Sequence, residues 1–220
     1  MGIISIEQAD RLYWLGRYTE RVYTTLKMFS KSFDNLIDGI ADSYVEFCKS
    51  IDIPNVYEDK ADFVRRYPFD TALSDSIISN LNRAYDNAIV LRENIGSESL
   101  AYIQLAIYEM NKAARSKAPL IELQKVNDNL LAFYGIADDQ IDSENVRNII
   151  KAGKRIERID MYARLGVEKK ELRREINRMI PRVEKSGLKH DKEKLASLRQ
   201  LIEETEIDYY KIVAEVESIF

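Results

Sequence analysis

Apolar positions recur at intervals of three and four residues along almost the whole chain. Val22, Leu26, Phe29, Phe33 and Leu36 follow 4-3-4-3 spacing, which lays one stripe along one face of a helix. Ser5, with Gln8 three residues on, is a capping-box pattern, so the first helix is predicted to open there. It should run to about Ile37, with Gly39 as its stop. A second long helix is predicted from about Thr71, with Ile77, Leu81, Ala84, Ala88 and Leu91 on its stripe and Gly96 as its break. Ser97 is placed to cap the next helix, Pro119 to open another and Gly135 to close that one. A further helix should run from near Ser143 to Gly166, after an acidic connection, IADDQIDSEN.

Two regions read differently. In residues 43–70, SYVEFCKSIDI reads as a short helix, and the stretch after it as a connection with one further helical turn. Beyond Gly166 the chain is heavily charged. KKELRREINRMIPRVEKSG predicts a helix kinked at Pro181. A last helix should carry Leu195, Leu198, Ile202, Tyr209, Ile212, Val216 and Ile219, and pair with it as an antiparallel hairpin. No segment has a strand pattern, and no Gly-rich phosphate loop occurs. The prediction is an all-α, multi-helix bundle of about six to eight helices, with a C-terminal helical hairpin and one domain over residues 1–220.

Composition agrees with a helical core: 45% apolar and 32% charged residues, with only 8 Gly and 4 Pro in 220 positions. The net charge of −4 gives no overall footprint for nucleic acid. Cys48 and His190 each stand alone, which removes an internal disulfide and any thiolate or histidine-rich metal site. Cys48 reads as a small buried hydrophobe and His190 as a solvated turn residue. No run of apolar residues reaches membrane-spanning length, and MGIISIEQAD has neither a basic leader region nor a cleavage site. Ile6 occupies the position where a myristoylation signal needs Ser or Thr. The expectation is a cytoplasmic protein in a reducing compartment, without cofactor or metal and with no membrane or nucleic-acid partner. Self-association is left open.

The chain also repeats itself. GRYTERVYTTLKM from Gly16 and GKRIERIDMYARL from Gly153 align at an offset of 137, matching Gly16 with Gly153, Arg17 with Lys154, Glu20 with Glu157 and Arg21 with Arg158. Two helices therefore carry one signature, which predicts pseudo-symmetry and a shared interface. On a helical wheel at ~100° per residue, Tyr13, Arg17, Glu20, Arg21 and Thr24 fall opposite the apolar stripe, with Trp14 at the edge. Adjacent Glu20 and Arg21 point apart, so each needs a partner from another helix. Two readings stay open. The Glu-Arg pairs fix helix packing, or Arg17, Arg21 and Arg158 form an anion or carboxylate site walled by Tyr13 and Trp14.

The segment ADRLYWLGRYTERVYTTLKM, residues 9–28, resembles the opening signature of the alpha-E domain family, an all-helical family named for its Glu-Arg motif. RAYDNAIVLRENIGSES, residues 83–99, resembles the family's second helix, with Asn87, Arg92 and Glu93 on its motif positions. GKRIERIDMYARL resembles its second Glu-Arg helix. The resemblance spans residues 1–166 in order. The chain departs from it at Tyr85 and Ile89, where members carry Arg, and in having a charged hairpin beyond Gly166. What the resemblance implies is company more than chemistry. Alpha-E proteins accompany circularly permuted ATP-grasp ligases and transglutaminase-like peptidases, which implies an accessory or scaffold subunit of a peptide- or amide-bond-forming system. The family has no firmly assigned catalytic residues. The other readings are an enzyme using Glu20 or Glu157, oriented by Arg21 or Arg158, on an amide or ester, and an anion- or peptide-binding module.

Overall fold

The structure, a computed structural model, describes residues 4–37 and 43–220. Gly39 and the side chains of Phe33 and Leu36 lie outside what is described. Among the described residues there are eleven helices and no strand. They are α1 (Ile6–Ile37), α2 (Ser43–Ser50), α3 (Lys60–Arg66), α4 (Ile77–Val90), α5 (Arg92–Ile95), α6 (Ser97–Ala113), α7 (Pro119–Gln140), α8 (Glu144–Arg164), α9 (Lys169–Lys185), α10 (Lys192–Leu201) and α11 (Tyr209–Glu217).

α1 opens on the capping box read from the sequence. The Ser5 amide donates to Gln8 Oε1 at 3.0 Å, and the Gln8 amide donates to Ser5 Oγ at 3.1 Å. This helix is the axis of the fold, packed against α8, α4 and α7. Its apolar stripe is buried at Leu12, Leu15, Val22, Leu26 and Phe29, yet the opposite side is buried too, at Arg17, Glu20 and Thr24. One end of α1 meets Ala84, Ala88, Ile103, Phe133 and Ile149. The other meets an aromatic nest of Phe29, Phe47, Tyr57, Phe63 and Tyr67, in which Phe63 and Tyr67 stack at 5.1 Å. Cys48 packs here as a small apolar residue, and burial pushes its thiol up to about 11. A third cluster joins the second half of α8 to α9, α10 and α11.

Several boundaries differ from the sequence reading for local reasons. α4 starts at Ile77, not Thr71, because Ser76 Oγ caps the Ser79 amide. Gly96 (φ +80°) ends α5 and also occupies the cap position of α6; Ser97 lies inside the first turn, its hydroxyl accepting from Arg92 Nε at 3.0 Å. Gly135 does not stop α7, since the stripe of Leu123, Val126, Leu130, Phe133 and Ala137 continues across it. The acidic connection before α8 is accordingly short. The predicted last helix is two, because Asp208 caps the Lys211 amide and opens α11 afresh. The hairpin survives between α9 and α10, and just past the end of α10 Arg173 pairs with Glu203 and Lys169 reaches the Glu204 carbonyl. Pro181 sits inside α9 without ending it.

Asp191 ties this region together. Its carboxylate accepts from the Glu193 amide at 2.8 Å and the Lys194 amide at 3.2 Å, while its own amide donates to the Ile219 carbonyl at 2.8 Å. Asp191→Ala is expected to lower stability by about 1 kcal/mol, as loss of a helix cap does. In urea unfolding the midpoint should fall while the slope stays constant.

Candidate functional site

The two Glu-Arg segments meet where α1 crosses α8. The crossing is set by the matched glycines. A Cβ on Gly16 would stand 2.2 Å from the Ile150 carbonyl oxygen, and one on Gly153 would stand 2.1 Å from the Tyr13 carbonyl oxygen. Each glycine therefore lies directly against the backbone of the other helix, an approach that any larger residue forbids.

That closeness delivers the charged side chains to each other. Glu157 receives Arg17 Nε at 2.6 Å on one oxygen and Arg21 Nε on the other. Glu20 receives Arg158 Nε at 2.5 Å and the Thr24 hydroxyl at 2.9 Å on Oε1. Its second oxygen faces the Tyr134 hydroxyl at 3.4 Å, and that hydroxyl lies 2.8 Å from Thr19 Oγ1. The pairs are thus exchanged crosswise: the glutamate of each segment binds the arginine of the other. Both glutamates have 0% exposure. Burial pushes the Glu157 carboxyl up, but Arg21 and Arg17 outweigh it and hold it below the ordinary glutamate range.

The network extends beyond the residues expected from the sequence. Asp160 accepts from Arg164 Nε at 2.8 Å and lies 3.9 Å from Arg17 Nη2. Its carboxyl is raised, by burial first and then by the charge of Glu157. Glu175 on α9, buried at 0%, binds Arg155, and lies 3.6 Å from Arg158. It comes from a run of charges that looks solvated in sequence, and only the apolar stripe of Leu172, Ile176, Met179 and Val183 around it signals an inward face.

Tyr13 and Trp14 do flank Arg17, whose guanidinium lies 5.9 Å and 5.1 Å from their rings. The three border a cleft of about 710 Å³ that Phe220 and Glu217 complete. Asn87, Arg92 and Glu93 are not part of this cluster. Asn87 accepts from Arg11 Nη1 at 3.4 Å, Arg92 is exposed and bonded to Ser97, and Glu93 is exposed. Among the described residues no group of His, Cys, Asp and Glu is arranged to hold a metal ion, and no helix is long and apolar enough to cross a membrane.

A family model described as "Alpha-E: A predicted alpha-helical domain with a conserved ER motif" matches residues 7–198. The chain belongs to the alpha-E family. The match continues past Gly166, where the resemblance read from the sequence stops, and takes in α9 and most of α10. The alpha-E region therefore includes the helix that supplies Glu175. No curated protein and no solved structure matches the chain.

Within this alpha-E domain the repeat is broken at one position. Arg17 binds Glu157, but its counterpart Lys154 has no carboxylate within ion-pair distance among the described residues; its amine lies 3.1 Å from the centroid of the Tyr134 ring. Burial pushes the amine down to about 7, against the opposing pull of Glu20 from α1 and Glu175 from α9; Arg158 and Arg155 of α8 push the same way as burial. In the unfolded chain a lysine titrates near ~10.4. Between about 7 and that value the unfolded chain holds the extra proton, so this group adds stability as pH rises. Lys154→Met, which keeps the aliphatic stem, is expected to be more stable than the wild type at pH ~7, with the gap closing towards pH ~10. Paired thermal melts across that range check it, and a constant gap would contradict it.

Proposed function

We propose that this alpha-E domain is a helical accessory or scaffold subunit of a peptide- or amide-bond-forming system, working with an ATP-grasp-type ligase or a transglutaminase-like peptidase. The observation that carries the non-catalytic part is the crosswise exchange. Glu20 and Glu157 have 0% exposure, and their oxygens face Arg158, Thr24 and Tyr134 in the first case and Arg17 and Arg21 in the second. A general acid or base needs a carboxyl within hydrogen-bond reach of its substrate, and neither glutamate offers one. Instead the motif holds α1 and α8 in register, leaving the outer faces of the helices to meet partners. The partner class rests on the family's company, an argument by association.

The test is purification of the tagged protein from its native cells, with mass spectrometry of what accompanies it, followed by ligase assays with and without the domain. If it neither associates with a ligase or peptidase nor changes the rate of one, the proposal fails. Glu20→Gln separates the packing role from the enzymatic reading. It is expected to cost about 2–3 kcal/mol, less than losing a fully committed buried partner, because Arg158 keeps Glu175 at 3.6 Å. A variant that kept its melting temperature but lost an amide- or ester-directed activity would favour the enzyme.

A further inference from the structure

The cavity between α7, α8 and α9, about 590 Å³, borders the Glu-Arg network through Tyr134, which faces Glu20, and Arg155, which binds Glu175, but neither Glu20 nor Glu157 lines it. Its wall carries Arg147, Lys151, Lys154 and Arg155 from α8 and Arg178 and Arg182 from α9, with Asp138 as its one carboxylate. These positions follow helical spacing, so each helix turns one cationic strip inward. Part of that charge is answered: Lys151 pairs with Asp138, and Arg155 and Arg178 share Glu175. Three basic side chains have no carboxylate within ion-pair distance among the described residues. Arg147 donates to the backbone carbonyls of Ile141 and Asp142, Arg182 donates to Asn148 Oδ1 at 3.1 Å, and Lys154 rests on Tyr134.

The protein as a whole is acidic, at −4, so this positive excess is local. Like charges gathered in a concave wall repel one another and focus a field that draws in anions. Guanidinium groups fit phosphate oxygens two at a time, and a lysine adds a point charge. Unanswered cations on two helices, α8 and α9, require a ligand with more than one anionic group. The volume suits a small molecule, and cations converging in one cavity fit a compact polyanion better than a nucleic-acid strand, which wants a basic stripe. We propose that this cavity binds a small ligand bearing two or more linked phosphate groups, through Arg147, Lys154 and Arg182.

Calorimetric titration of the full chain with tripolyphosphate tests this. One-site binding is expected. It should weaken by about tenfold or more in Lys154→Met/Arg182→Gln, since loss of charged donors costs at least ~1.4 kcal/mol. The control Arg115→Gln/Lys117→Gln removes the same charge from exposed positions before α7, roughly 30 Å along that helix, and should bind like the wild type. No heat at millimolar tripolyphosphate, or equal weakening in both double variants, overturns the proposal. If the first variant melts early, Arg147→Gln replaces it: that side chain is bonded only to the Ile141 and Asp142 carbonyls among the described residues, and unchanged affinity there overturns the proposal equally. ATP as a second titrant distinguishes a nucleotide from a free polyphosphate, and binding of either supports the site. The titration involves no ligase, so its outcome is independent of the scaffold reading.

Discussion

Glu157→Gln is expected to destabilise the protein by about 3–5 kcal/mol, the cost of removing one partner from a buried ion pair. Among the described residues Glu157 is the one carboxylate within ion-pair distance of Arg21 and the nearer of two for Arg17, whose other carboxylate, Asp160, stands 3.9 Å away. The amide leaves two guanidinium groups facing one neutral oxygen in a site where Glu157 itself has 0% exposure. Urea unfolding at pH 7 measures the loss. The pH dependence gives a second check with a definite sign. Because the folded carboxyl is held below its ordinary range, its contribution is present above the unfolded value of ~4.3 and disappears as pH falls through the folded one. The gap between wild type and variant should therefore narrow only in acid below ~4. A loss under ~1 kcal/mol at neutral pH would mean that the crosswise exchange does not hold the helices together.

Gly153→Ala is expected to cost about 3 kcal/mol or more, although alanine favours a helix over glycine by ~1 kcal/mol. The added methyl would meet the Tyr13 carbonyl oxygen at 2.1 Å and the Arg17 amide nitrogen at 3.3 Å. Backbone cannot swing aside as a flexible side chain can, so α1 and α8 must separate, and the Glu-Arg bonds lengthen with them. Gly135→Ala is the matched control. That glycine lies inside α7 with nothing within 4 Å of a built Cβ, so the same substitution should raise stability by up to ~1 kcal/mol. Thermal melts of the two variants should move in opposite directions. A shared direction would contradict the close crossing.

The repeat pointed in the sequence to a shared interface, but the contact itself and its glycine crossing were not legible there. Gly16 and Gly153 align with Glu20 and Glu157 in one register, and a pair of adjacent opposite charges on a helix cannot satisfy each other. The all-α class was open to reading, from three- and four-residue spacing and few prolines. What was hidden depended on three-dimensional burial. Glu175 sits among Lys, Arg and Glu residues that are mostly exposed, and only the apolar stripe it shares with Leu172, Ile176 and Met179 sets it apart from them. Lys154 reads as a conservative counterpart of Arg17, yet a lysine has no planar fork with which to reach the partner an arginine would take. The break between α10 and α11 contains neither Gly nor Pro. The apolar stripe skips from Ile202 to Tyr209, seven residues that still fit two helical turns, so the polar step between them does not by itself mark a break, and the Asp208 cap sets the new start. At Gly135 the error ran the other way: a residue type that commonly stops helices was overruled by a continuous buried stripe.

The crosswise exchange also has a consequence in time. Its two halves lie 137 positions apart in the chain. During synthesis at 5–20 residues per second, α1 leaves the ribosome on the order of ten seconds before α8 follows. Through that interval Arg17, Glu20 and Arg21 have no counter-charges from α8 and stay hydrated, and the groove that α8 will fill stands open. The central helix of this protein therefore cannot mature in the order in which it is made. A nascent chain halted before Glu157 would carry its axis unlocked, the form that a chaperone or protease would meet first.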